Sequence, residues 1–467
     1  MKNVEKTMRK VIVLSVLLSA GLSSCSIYRA YERPEIAGID SLYRQTTGTT
    51  DTASLASLSW RQLFTDSQLQ QLIETGVRNN TDLQIARLRV EESRASLSKA
   101  RLAYLPSLSL TPQGTVSKTE GREATKTYDL AASAEWEVDI FGRLTNAKRE
   151  ARAVLEQSEA YRQAVETQLV ATIANSYYTL LMLDQQLAIT RRTAENWNEN
   201  VRVMRALKRA GQTTDMAVAQ TEASRLSVEA SLLSLERQIS ETENALCALL
   251  GEPSHTIERA TLAEQQFPDT LTAGVPLQLL ERRPDVRQSE AELAAAFYVT
   301  NQARLAFYPS ITLSGSAGWT NAAGAVITNP GQWLLSAVGS LVQPLFNRGK
   351  NIANLKIAKA QQEEALLSFR QSLLDAGTEV NDALMQWQTA RKRLKLDESQ
   401  ITALQSAVRS SELLMQYSSQ NYLEVLTARQ TLLQAELDAV SDRFEEIQGV
   451  INLYHALGGG YDDQAAR

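Results

Sequence analysis

From Tyr128 onward the chain alternates. Tyr128, Leu130, Ala132, Ala134, Trp136, Val138 and Ile140 fall on one parity, and Asp129, Ala131, Ser133, Glu135, Glu137 and Asp139 on the other. A period of two marks a strand with one apolar and one polar face. A second run sets Ile311, Leu313, Ala317 and Trp319 against Ser310, Thr312, Ser314, Ser316 and Thr320. Segments around Leu108 and Leu335 alternate less cleanly. The pattern predicts four strands, at about 105–118, 127–141, 309–320 and 332–346. The clear runs are about as long as a tilted membrane-spanning strand, roughly 9–11 residues, although half-buried strands of a soluble sheet would alternate in the same way.

Elsewhere the spacing is helical. Leu169, Ile173, Tyr177, Leu180 and Leu183 form one stripe, and Leu366, Phe369, Leu373, Val380 and Leu384 another. Charges interrupt both, so they read as helix-packing faces rather than membrane spans. Residues 143–210 contain neither Gly nor Pro. As one helix they would reach about 100 Å. The stretch after Gly349 is similar, interrupted only by Gly377 and later by Gly449. Shorter helices are expected at roughly 66–104 and 285–307, each ended by Pro106 or Pro309.

The two halves are copies. Residues 100–110 read ARLAYLPSLSL and residues 303–313 read ARLAFYPSITL, identical at seven of eleven positions. At the same offset Thr81-Asp82-Leu83 falls on Pro284-Asp285-Val286, and Phe141-Gly142-Arg143 falls near Phe346-Asn347-Arg348. So long a period means two structural halves rather than a short-repeat solenoid. The expected organisation is a signal segment 1–24, an N-terminal lipid-anchored segment 25–65, a first repeat 66–250, a linker 251–283, a second repeat 284–457 and a tail 458–467.

The beginning of the chain carries Lys2, Lys6, Arg9 and Lys10, then an apolar run Val11–Ala20, then Leu22-Ser23-Ser24-Cys25. The apolar run is too short to span a bilayer. The pattern resembles a bacterial lipobox, in which Cys25 takes a diacylglycerol and an N-acyl chain after the preceding peptide is removed. Ser26, in place of Asp, resembles a signal for sorting to the outer membrane. Loss of residues 1–24, with four positive and one negative side chain, takes the net charge from −5 to −8. That balance implies no nucleic-acid partner. Two Cys and two His exclude a Cys/His-rich zinc site. His255 reads as a solvated linker residue, His455 as a packing residue, Cys247 as a small buried side chain and Gly458-Gly459-Gly460 as a helix stop. No catalytic or metal-binding constellation is expected, and no cofactor beyond the lipid on Cys25.

Four strands cannot close a barrel, and an open edge cannot face lipid. Two copies would give eight strands and a filled interior, whereas three would give twelve and room for water.

Trp60-Arg61-Gln62-Leu63-Phe64, Asp66, Asn79-Asn80-Thr81-Asp82-Leu83, Trp136 with Phe141-Gly142-Arg143, Arg282-Arg283-Pro284-Asp285-Val286-Arg287, Tyr308-Pro309-Ser310 and Leu457-Gly458-Gly459-Gly460 occur in this order. In order and spacing the mature chain resembles the TolC/OprM-type outer membrane factors, specifically their NodT-like lipoprotein branch. The resemblance implies a mainly α fold with a β-barrel part. Each chain would give four transmembrane β-strands and long coiled-coil helices to a trimeric 12-stranded β-barrel on an α-helical barrel. It implies a passive conduit in the bacterial outer membrane that extends into the periplasm. Its partners would be outer-membrane lipid, a periplasmic adaptor and an inner-membrane efflux pump of the RND type. The returning turns, 209–215 and 417–424, would then line the periplasmic aperture. Glu424, Asp215 and Tyr417 are the gate candidates, and Arg209, Gly211 and Gln420 the adaptor-contact candidates. The second turn departs from the family: it is two residues short, has Ser419-Gln420 where Gly is usual, and has Thr427 in place of an acid. A competing reading is a non-pore structural coiled-coil lipoprotein, which explains the helices but not the duplicated strands.

Overall fold

The computed structural model describes residues 30–34, 58–265, 267, 283–321, 332–417 and 422–459. A short helix α1 (Trp60–Leu63) is followed by α2 (Ser67–Asn79) and α3 (Thr81–Leu102), the hairpin β1 (Ser107–Ser117) and β2 (Thr125–Val138), and the helices α4 (Arg143–Arg209) and α5 (Asp215–Leu250). A 3-10 turn lies at Leu262–Glu264. The second half runs α6 (Pro284–Leu305), β3 (Ser310–Asn321), β4 (Gln332–Val342), α7 (Lys350–Tyr417) and α8 (Tyr422–Ala456). Helices α4 and α7 have 67 and 68 residues, and α7 passes through Gly377 without a break. Among the described residues no helix is long and apolar enough to cross a membrane.

Expected boundaries move: β2 ends at Val138 rather than near 141, and two further shifts have a plain physical cause. The stretch 66–104 is not one helix, because the chain breaks at Asn80, which takes ψ 128°. Its Oδ1 accepts from the Leu83 amide (3.0 Å) and its Nδ2 donates to the Leu249 carbonyl (3.0 Å). An Asn at the N-cap thereby starts a new helix instead of continuing the old one. Strand β4 stops at Val342 rather than near 346. Pro344 has no amide to donate, and the chain then turns through left-handed Arg348 and Gly349.

Contacts divide the chain into two compact units: residues 1–35, 89–158 and 288–369, and residues 36–88, 159–287 and 370–467. Each unit draws on both sequence repeats. The first holds a four-stranded antiparallel sheet in the order β1-β2-β3-β4. Its register sorts the side chains. Leu108, Leu110 and Val116 pair with Ala134, Ala132 and Lys126, and Leu130, Trp136 and Val138 pair with Trp319, Leu313 and Ile311. Ala317 and Ile311 in turn pair with Leu335 and Leu341. Opposed residues share a face, so one face is almost wholly apolar. On the other face Ser109, Ser133, Ser316 and Ser336 stand in one row across all four strands. Their hydroxyls meet at 2.7 Å (Ser109–Ser133) and 2.8 Å (Ser316–Ser336). Strand β4 alternates less cleanly, because Val338 and Val342 lie on this hydroxyl face. Among the described residues, strands β1 and β4 each keep one unpaired edge. The helices of this unit pack through small residues, Ala153, Ala294 and Ala295, around Tyr298.

The second unit is helical. Its core gathers Leu69 and Ile73 of α2, Tyr177, Tyr178, Leu180 and Leu181 of α4, Leu246 and Leu250 of α5, Val380 and Trp387 of α7, and Ile447, Val450 and Tyr454 of α8. The stripe expected around Leu169–Leu183 is therefore a core face. Gly449 lets α8 approach α7 closely: a Cβ there would stand 2.9 Å from the Trp387 backbone. A smaller cluster joins Ala194 and Trp197 of α4, Val228 of α5, and Leu426 and Leu433 of α8.

Candidate functional site

The first returning turn is built to reverse the chain sharply. Helix α4 ends at Arg209, and Gly211 adopts φ 72°. Its amide donates to the Lys208 carbonyl (3.0 Å), and the Gln212 amide donates to Leu207 (2.9 Å). This is the paired closure that a left-handed Gly permits at a helix C-terminus. Thr214 then caps α5, its hydroxyl accepting from the Ala217 amide at 3.2 Å. Asp215 is in the first turn of α5 and forms an ion pair with Lys208 across the turn. It is thus a strut of this turn as well as an exposed acid. Arg209 is exposed.

Glu424 stands exposed in the first turn of α8, where the helix dipole favours a carboxylate. Tyr422 Oη donates to Gln220 Oε1 of α5 (2.8 Å), so the second turn is tied to the helix that follows the first. Arg429 of α8 holds Glu412 of α7 through its Nε at 3.0 Å. Thr427 turns its hydroxyl back to the Leu423 carbonyl (2.9 Å). Tyr417 is the last residue of α7. Cys25 and Gln420 lie outside the described residues. The structure brings Asp215 to Lys208 and Tyr422 to Gln220. Among the described residues no group of His, Cys, Asp and Glu is arranged to hold a metal ion.

Three polar centres escaped the sequence reading. Arg283, 2% exposed, donates to both oxygens of Asp285 (3.0 and 2.7 Å), to Glu379 (2.6 Å) and to the Ala456 carbonyl (2.6 Å) at the end of α8. Burial opposes ionisation of Asp285, but the Arg283 hydrogen bond and charge outweigh it and hold the carboxyl below its ordinary range. Burial, with the Arg283 charge, pushes the His455 imidazole down, in keeping with a neutral packing residue. The second centre is Arg259, which bridges Asp184 (2.5 Å) and Glu243 (2.5 Å). The third is Asp442 of α8, beside Asp397 of α7. Cys247 and His255, read separately in the sequence, meet: the His255 amide donates to the thiol sulfur at 3.4 Å. The motif Arg282–Arg287 was a signal for the first centre, but nothing in it told which arginine is buried.

Residues 72–252 and 275–459 match the model of the family described as outer membrane efflux protein. The chain belongs to that family. It is 28% identical over 453 residues to the cation efflux system protein CusC of Escherichia coli O6:H1, covering 96% of this chain and 98% of that protein. It is 30% identical over 463 residues to the toluene efflux pump outer membrane protein TtgC of Pseudomonas putida, covering 96% and 95%. A crystal structure of CusC, reported for its transmembrane channel formation, superposes with a TM-score of 0.84 at 27% identity, covering 93% of this chain and all of that one. The chain is an outer-membrane efflux protein, as its motifs implied. The alternative of a non-pore coiled-coil lipoprotein has no support in these likenesses.

Proposed function

We propose that three copies of the chain close into a twelve-stranded barrel in the outer membrane, as the passive exit duct of a tripartite efflux system. One observation carries this reading: the register puts apolar side chains on one face of the sheet and a hydroxyl row on the other. Such a sheet separates lipid from water only if its two open edges are paired, and within one chain they are not. Aromatic residues bracket the apolar face. Trp136 lies toward the end joined to the helices, and Tyr128, Trp319 and Trp333 toward the other. Tyr128 and Trp136 are about 27 Å apart along the strand, or about 21 Å of height at a tilt of about 40°, near the height of the apolar band of a transmembrane barrel. Helices of about 100 Å would then carry the duct through the periplasm. A periplasmic adaptor and an inner-membrane pump of the RND type would supply cargo and energy at the far end, and cargo choice would belong to the pump. In this reading Arg209, Gly211 and Gln420 meet the adaptor, Cys25 carries the acyl chains, and Glu424, Asp215 and Tyr417 face the aperture.

Native mass spectrometry of protein extracted from outer membranes tests the assembly and the anchor together. The expected species has three chains, each beginning at an acylated Cys25. A monomer retaining residues 1–24 would overturn both. The aperture is tested separately. Three copies of Glu424 would form an acidic ring, so Glu424→Gln should lower the cation-to-anion permeability ratio in a planar bilayer by roughly twofold. Unchanged selectivity would leave Glu424 as an ordinary first-turn carboxylate.

A further inference from the structure

The register fixes which ends of the strands lie together. Ser107 pairs with Glu135, Val138 with Ile311, and Ser310 with Val342. The start of β1, the end of β2, the start of β3 and the end of β4 are therefore all at one end of the sheet, and α3, α4, α6 and α7 all join there. Charge is distributed very unevenly about that sheet. The four joining segments, 99–106, 139–152, 300–309 and 343–359, contain eleven basic residues and two acidic ones. The chain as a whole has net charge −5. At the opposite end, residues 118–129 carry three of each sign. Both acids of the joining segments are engaged: Asp139 accepts from the amides of Leu144 and Thr145 (2.9 Å each), and Glu150 accepts from Gln302. Six of the cations, Lys99, Arg101, Arg348, Lys350, Lys356 and Lys359, are exposed and form no ion pair among the described residues.

The same end presents apolar side chains to solvent. Leu345 and Phe346 are 93% and 87% exposed, directly before Arg348. Arg348 has φ 46°, a backbone state that Gly or Asn reaches more easily. An arginine held there has its charge, not its backbone, to recommend it. Exposed apolar tips beside unpaired cations are what a membrane interface accommodates: the tips enter the acyl boundary and the cations reach the headgroups. The six unpaired cations are spread along two of the joining segments, 99–106 and 343–359, instead of converging on one pocket. A sheet of fixed phosphates matches that layout better than any single soluble anion.

Resting on the reading that the sheet lies in the bilayer, we infer that this basic band binds the phosphates of anionic glycerophospholipids in the leaflet from which the helices emerge. The band sets the depth of the sheet and selects its lipid neighbours.

The test uses the full-length protein in nanodiscs of phosphatidylcholine containing a minority of phosphatidylglycerol, with the lipids that remain bound on release counted by mass spectrometry. Wild type is expected to retain phosphatidylglycerol over phosphatidylcholine in a ratio at least tenfold above that of the mixture, and to lose that preference as NaCl rises from 50 to 500 mM. The triple variant Arg101→Gln, Arg348→Asn, Lys350→Gln should lose most of the enrichment. The control Lys118→Gln, Arg122→Gln, Lys126→Gln, at the other end of the sheet, should keep it. Insertion into the nanodisc without lipid preference, or equal losses in both triple variants, would overturn the inference while leaving the membrane reading intact. Failure to insert into either lipid would overturn the membrane reading itself. If the first triple variant does not assemble, the salt dependence of wild type decides: a preference insensitive to NaCl would defeat the electrostatic basis.

Discussion

Arg283→Ala is expected to lower the stability of the helical unit by about 3 kcal/mol. The side chain is almost fully buried and is the shared donor for Asp285, Glu379 and the last carbonyl of α8. Truncation leaves the Ala456 carbonyl without that donor and opens a void the length of the arginine stem. The full cost of breaking a buried ion pair is about 3–5 kcal/mol, because the surviving partner stays dry. Here Asp285 and Glu379 are 46% and 50% exposed, so both recover water and the low end of the range applies. Arg283→Lys should recover only part of the loss, since an ammonium cannot span the two oxygens of Asp285 and still reach Ala456. Thermal melting followed by helical circular dichroism reads the effect. Arg237→Ala is the reference: its partner Glu241 is one turn away on an exposed surface, and the change should stay within about 0.5 kcal/mol. Equal shifts in Arg283→Ala and Arg237→Ala would show that the buried network adds nothing to stability.

The contrast between these two arginines shows where the sequence is legible. Periodicity depends on backbone geometry, so it exposed the long helices, and it separated the faces of β2 and β3 because most residues of those strands are plainly polar or apolar. It was weaker for β4, where Val338 and Val342 lie on the hydroxyl face. It missed the break at Asn80, because an Asn in a run of polar residues looks the same whether it lies inside a helix or caps the next one. Ion networks are harder still. Arg283 and Arg237 have the same side chain and each has two acids within four positions, and only the fold decides which one is surrounded by protein. The returning turns were located by Gly211 and by the duplicated helix pattern. The ion pair between Asp215 and Lys208 depends on the path of the turn and could not be read from spacing alone.

Asp442→Asn should make the protein more stable at pH 7.5, less so at pH 5, and leave it nearly unchanged below about pH 4. Asp442 is 1% exposed on α8. Arg393 of α7 stands 2.9 Å from its Oδ1, yet off the line of a hydrogen bond, so neither oxygen receives a well-directed donor. Burial, with the neighbouring carboxyl of Asp397 and the charge of Glu445, raises the Asp442 carboxyl against the pull of Arg393, to about 6. An unfolded aspartate titrates near 3.9. The folded state therefore binds the proton over a window in which the unfolded chain has lost it. Stability from this group is complete below about pH 4 and is lost as pH rises through about 6, by at most about 3 kcal/mol. Most carboxylates in ion pairs have the opposite dependence, as Asp285 does, so the sign is diagnostic. The substituted asparagine would present an amide donor to Asp397 at every pH, as the protonated acid does only at low pH. Melting midpoints of wild type and variant between about pH 3.5 and 8 should therefore converge at the acid end and separate toward the alkaline end, with the variant higher. Parallel curves, or a variant that melts lower throughout, would mean that Asp442 is ionised in the fold and stabilised there by Arg393.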